Sequence, residues 1–151
     1  VEPVRNKGFR VKELSAQELD QILQVRLMLE PEAAAQICGK VSLPNIKKLR
    51  ALADEIVKAA NAQDLIAYVN SDRAFHGFLL ELTGNSSLVR TVLNLRDQSR
   101  LLGLRHLASE GLLADTTHEH HDMIDAIEAG DAPRVRLIVS QHLAHVRTEW
   151  A

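Results

Sequence analysis

Asp72 and His76 stand four residues apart in a strongly helical passage, so a carboxylate and an imidazole leave one helix face a turn apart. Such a pair supplies half of a metal site, or it is an ordinary polar pair on a helix. Spacing alone favours the second. Two further histidines change the balance. His120 falls in the first turn of a later helical stretch, and His142 lies in register with Ile138, Val139 and Val146 on the last one. A lone histidine on an inward helix face is more often a satisfied core residue than a ligand, by roughly three to one. Four ligand-capable residues from three helices would reverse those odds if they faced one bundle interior, a convergence that spacing does not establish. Neutral imidazoles with one carboxylate suit a divalent transition metal: zinc first, with nickel, manganese or another such ion also compatible.

Rival chemistries find less support. His118-Glu119-His120-His121-Asp122 invites comparison with a metalloprotease helix, which needs a second His four residues after the first. Position 122 is Asp, so the match fails, and His118, His121, His106 and His145 read as surface residues. No Gly-x-Ser-x-Gly elbow and no phosphate-cradling Gly-rich loop occurs. Arg26 and Glu30 are four apart on the first helix. They form an intrahelical ion pair worth about 0.3–0.5 kcal/mol, or Arg26 reaches inward to take a ligand carboxylate two-pronged. The residues alone leave these even.

Helices must position all of this. Ser15 with Glu18 is a capping box, with Leu14 and Leu19 as its staple, and opens helix 1. Pro31 predicts a kink or restart before Gly39 stops the helix. Helix 2 begins near Ser42, with Pro44 in its first turn, and reaches about Asn61. Helix 3 follows Asp64 and ends at Gly84. Helix 4 runs from Asn85 or Ser86 to about Leu107, interleaving Arg96, Arg100 and Arg105 among leucines. Residues 108–115 read as a loop. Thr116 with Glu119 reads as a second capping box for helix 5, which Gly130 stops, and Asp131 caps helix 6 with Pro133 in its first turn. Before helix 1, Phe9 and Val11 alternate after a turn at Asn6-Lys7-Gly8, as in a short strand. A lone strand does not persist, so residues 1–14 read as a linker or the end of another domain.

Composition agrees. The 151 residues are 46% hydrophobic and 25% charged but only 3% aromatic, which calls for an aliphatic, helix-on-helix core. Eighteen Lys and Arg against twenty Asp and Glu leave a formal charge of −2, so the overall field does not attract polyphosphate. One cysteine, Cys38, excludes an internal disulfide and a thiolate cluster. No apolar run approaches the ~20 residues of a membrane span, and a cytoplasmic protein is the expectation. The fold class is all-α: an antiparallel bundle of about six to seven helices with a central metal or ligand pocket.

The ordered set Arg26-x-x-x-Glu30-Pro31 with its Ala run, Asp72-x-x-Phe75-His76, Gly84-Asn85, Glu119-His120, Ala126-Ile127, Gly130-Asp131 and His142-Leu143 resembles the FCD domain. That is the C-terminal, effector-binding domain of the FadR-like branch of GntR-type transcription regulators. The resemblance spans residues 15–151, while 7–13 look like the last wing strand of a winged helix-turn-helix that this chain lacks. It implies a divalent metal on Asp72, His76, His120 and His142, and a small organic-acid effector neutralised by Arg26, with Asn85 and one of Arg96 or Arg100 as lesser pocket candidates. It implies a homodimer that meets DNA through the missing N-terminal domain, and no membrane partner. A small metal-dependent hydrolase is the alternative, and a purely structural helical dimerisation domain a third possibility.

Overall fold

Ser15 starts the first helix by reciprocal capping. Its hydroxyl accepts the Glu18 N–H at 3.1 Å, and the Glu18 carboxylate accepts the Ser15 N–H. The computed structural model describes residues 2–4, 8–10, 14–110 and 117–150, with side chains over 14–99 and 117–145. From Ser15 the helix α1 (Ala16–Ile37) runs unbroken through Pro31, where a kink or restart was expected. Proline removes one ladder hydrogen bond, but Glu30, Pro31, Ala33, Ala34 and Ala35 are all buried. Packing of that face carries the helix past the gap.

The next starts follow local chemistry as well. Ser42 caps α2 (Leu43–Asn61) and Asp64 caps α3 (Leu65–Glu81), each accepting the backbone N–H three residues on. Asn85 does the same for α4 (Ser86–Glu110) through Leu88, and Asp131 for α6 (Ala132–Trp150) through Arg134. The helix α4 continues to Glu110, past the expected end near Leu107 and into the expected loop; residues 111–116 lie outside the described ones. One start differs from expectation. The helix α5 (Glu119–Ala129) has His118 at its N-cap with no side-chain cap bond. The Glu119 carboxylate is held by two histidine rings, and Thr116, its expected capping partner, lies outside the described residues.

Two glycines bring the ends of α1 and α5 together. Gly39 and Gly130 both adopt left-handed backbone, φ 72° and 73°. The Gly39 N–H donates to the Ile127 carbonyl at 2.9 Å, and a Cβ on Gly39 would stand 3.5 Å from the Gly130 Cα. The left-handed backbone favours glycine at both positions, whereas a Cβ at Gly39 would make only ordinary contact there.

The main core joins Leu23 and Ile37 of α1, Leu49 and Ile56 of α2, Phe75 and Leu79 of α3, Ile124 and Ile127 of α5, and Val135 and Leu143 of α6. A smaller cluster of Ala33, Leu80 and Val92 seats α4 on α1 and α3. Among the described residues the bundle has six helices, and none is long and apolar enough to cross a membrane. Before it, β1 (Glu2–Val4) and β2 (Gly8–Arg10) pair antiparallel with Pro3 opposite Phe9. The strand expected near Phe9 therefore has a partner within the same chain.

Candidate metal centre

Burial and helix phase bring Asp72, His76, His120 and His142 to one point. On α3 the residues Tyr68, Phe75, His76 and Leu79 are buried, with Asp72 partly buried on the same side. His120 of α5 is fully buried and His142 of α6 is 5% exposed. One ligand atom from each of the four lies within 4.8 Å of every other. His76 Nε2 is 3.2 Å from His120 Nε2 and 3.4 Å from Asp72 Oδ1, and His120 Nε2 is 3.3 Å from that same oxygen. Phe75, fully buried, sets its ring edge-on to both His76 and His120, at 5.1 and 5.0 Å between centroids.

The rings are also held from behind. His120 Nδ1 donates to the Thr117 carbonyl at 3.0 Å, since a carbonyl can only accept. His142 Nδ1 donates to Glu119 Oε1 at 2.9 Å. Both bonds leave Nε2 as the nitrogen available to a ligand. The other Glu119 oxygen takes Nδ1 of His145 at 2.9 Å, so one buried carboxylate serves two rings. Sequence reasoning missed this role, because Glu119 also fits a capping box. Burial, and Arg96 nearby, outweigh Asp72 and push His76 down to about 3; burial likewise lowers His142 against Glu119. These two rings are neutral near pH 7 and present lone pairs. The Asp72 carboxyl is held well below its usual range: burial opposes ionisation, but His76, His120 and Arg96 outweigh it.

Acceptor atoms converging on one anionic oxygen are an unfavourable arrangement unless a cation or a proton lies among them. Two ligands each about 2.0–2.1 Å from a metal lie roughly 3 Å apart, close to the 3.2–3.4 Å separations here. The donor set, three imidazoles and one carboxylate with ligand atoms within 4.8 Å of one another, fits a divalent ion.

A second set of charges adjoins the first. Arg96 of α4 donates from Nη1 to Asp72 Oδ2 at 3.2 Å, and from Nε and Nη2 to Glu30 Oε1 at 3.2 and 2.9 Å. Arg26 Nε donates to the other Glu30 oxygen at 2.6 Å. Burial would raise the Glu30 carboxyl, yet Arg96 and Arg26 lower it to about 2. Between the two sets lies a cavity of about 10 Å³, lined by Glu30, Arg96, His76 and His142 and by Leu79, Met123, Val139 and Leu143. It has room for about one water.

A family model for the FCD domain matches residues 21–145. The chain belongs to the FCD domain family. This FCD domain is 30% identical over 99 residues to an uncharacterized HTH-type transcriptional regulator of Streptomyces ambofaciens, covering 63% of the chain and 41% of that protein. It is 25% identical over 141 residues to a probable D-xylose utilization operon transcriptional repressor of Paenarthrobacter nicotinovorans, covering 91% of the chain and 60% of that protein. It thus spans less than two thirds of either relative's length. The E. coli McbR/YncC structure superposes with a TM-score of 0.82 at 20% identity, over 94% of this chain and 72% of that one, a likeness of fold.

Within the FCD domain the remaining expected residues divide. Arg96 reaches the cluster directly, and Arg26 reaches it through Glu30. The Arg26–Glu30 ion pair is present and buried, with exposures of 4% and 6%, unlike the solvated pair weighed from sequence. Asn85 is exposed and caps α4. The Arg100 and His106 side chains lie outside the described residues. His118 is exposed, His121 pairs with Asp54 at 3.0 Å, and His145 is half-exposed but tied to Glu119.

Proposed function

We propose that this FCD domain is the sensing part of a DNA-binding, GntR-type transcription regulator, holding one divalent metal and a small carboxylate effector. Asp72, His76, His120 and His142 are the metal ligands, and zinc is the first choice among ions that accept three imidazoles and a carboxylate. The observation that carries this is the convergence of the four ligand atoms, with Nδ1 of His120 and His142 bonded behind them. Carboxylate–histidine–metal arrangements fix ring orientation in this way. Glu119→Ala is accordingly expected to weaken metal binding about 10–100-fold, read by competition with a chromophoric chelator. Unchanged affinity would show that His142 needs no such support.

Charge points to an anionic effector. Arg26, Arg96 and a divalent ion bring four positive charges, against three negative ones from Asp72, Glu30 and Glu119. A buried excess of one favours a carboxylate. The metal, when bound, supplies a Lewis-acidic anchor; the guanidiniums orient the acid and the apolar cavity wall excludes water. An effector that prefers one helix arrangement shifts the population by its differential affinity, typically ~1–3 kcal/mol of coupling. In a homodimer carrying winged-helix domains ahead of residue 15, that shift changes the fit to two DNA half-sites. Residues 1–14 are then the end of the wing and the linker.

A hydrolase would need a carboxylate free to take a proton from metal-bound water. Glu30 is bonded to two arginines and Glu119 to two histidines, and both carboxyls are held below their usual range, which makes them weak bases. The test is elemental analysis of chain purified without added metal, followed by melting with acetate, lactate, succinate and citrate. About one metal per chain is expected, with stabilisation by at least one acid that Arg26→Ala abolishes while the metal stays. Protein that neither carries nor takes up zinc, nickel or manganese would leave a structural bundle.

A further inference from the structure

The sensing site, as it stands, admits no organic acid. Its cavity of about 10 Å³ holds roughly one water. Something must leave before an effector enters. The apolar part of the wall includes Leu79, Met123, Val139 and Leu143 of the main core, and His76 and His142 are bonded or stacked in place. Glu30 is different. Its two oxygens receive three N–H bonds from Arg26 and Arg96, all of which a foreign carboxylate could accept in the same geometry. An incoming carboxylate keeps a negative charge and three N–H bonds at the two guanidiniums, which no other lining group permits.

Resting on the proposed effector reading, we infer that Arg26 and Arg96 form a carboxylate seat that Glu30 fills from within the chain, and that an effector acid enters by displacing it. The seat adjoins His76 and His142 across the cavity. The acid that fits is therefore small, with a second oxygen reaching from the guanidiniums toward the metal ligands.

The local backbone suits such a displacement. Glu30 directly precedes Pro31, which has no N–H to bond the Leu27 carbonyl. Pro31 leaves one ladder hydrogen bond unmade in the turn that carries the internal carboxylate. Arg96 also holds Asp72, so exchange at the seat is felt by a metal ligand on α3 and by α1 together.

The test uses acetate and succinate as probes on the chain loaded with zinc. Glu30→Gln keeps the side-chain volume but removes the competing charge. Calorimetric titration is expected to show both acids binding Glu30→Gln at least tenfold more tightly than the unaltered chain. Chloride at equal ionic strength should give no such gain, and Glu30→Gln/Arg26→Met should lose it. If Glu30 only braces the fold, Glu30→Gln binds the acids no better, and the inference is overturned. Should Glu30→Gln fold poorly, its melting is read instead: acetate is expected to raise its melting temperature several degrees more than chloride at equal ionic strength does, and an equal response overturns the inference. Metal content measured on the same samples separates the two levels. A gain in binding by protein that takes up no metal supports the seat and refutes the metal centre.

Discussion

Glu30→Ala is expected to destabilise the domain by about 3–5 kcal/mol, the cost of leaving buried charges without their partner. Arg26 and Arg96 are 4% and 9% exposed, and Glu30 is the carboxylate shared between them. The titration of Glu30 gives a second measure. Its carboxyl drops from an ordinary 4.5 to about 2 because Arg96 and Arg26 outweigh burial, and that difference corresponds to roughly 3 kcal/mol. A depressed carboxyl pKa contributes stability that is present above 4.5 and is lost as the pH falls toward 2. Urea denaturation at pH 7 reads the whole effect. Repeating it between about pH 5 and 3 for the unaltered chain and Glu30→Gln isolates the pH-dependent share, because the substituted amide does not titrate. A Glu30→Ala loss below about 1 kcal/mol, the range of an exposed pair, would mean that water reaches the network.

What could be read from sequence was what local chemistry decides. Ser15, Ser42, Asp64 and Asp131 start helices because an N-cap is satisfied within three residues, whatever the rest of the chain does. His76 and His142 could be picked out because they fall among apolar residues at helical spacing, Asp72 because it stands one turn before His76, and His120 because it opens a helix. The supporting partners could not. Glu30 meets Arg96 across 66 residues and Glu119 meets His142 across 23, and no spacing rule reports such pairs. Glu119 fits a local capping pattern, and its carboxylate also makes tertiary hydrogen bonds to two rings. Pro31 misled: its local penalty is genuine, but the buried Ala33–Ala35 face outweighs it. The close approach of Gly39 and Gly130 likewise depends on how α1 and α5 dock, although each glycine was legible as a helix stop.

Removing the proposed metal is expected to lower the melting temperature of the chain by on the order of 10 °C. An ion bound only by the folded state at a thousand times its dissociation constant adds about 4 kcal/mol, and in a domain of this size each kcal/mol moves the midpoint by a few degrees. His120→Ala is the sharpest probe of the same effect. It is fully buried, it faces Asp72 and His76 through Nε2, and its Nδ1 is fixed by the Thr117 carbonyl. The variant should lose metal and melt well below the unaltered chain, partly from the cavity left behind. Scanning calorimetry with and without a chelator separates the two causes. If His120 acts through the ion, the chelator lowers the midpoint of the unaltered chain but has little left to remove from His120→Ala, and the two perturbations fail to add. Equal chelator shifts in both proteins would place the ion elsewhere. No shift in either would make the three rings and Asp72 a packing arrangement that holds no metal.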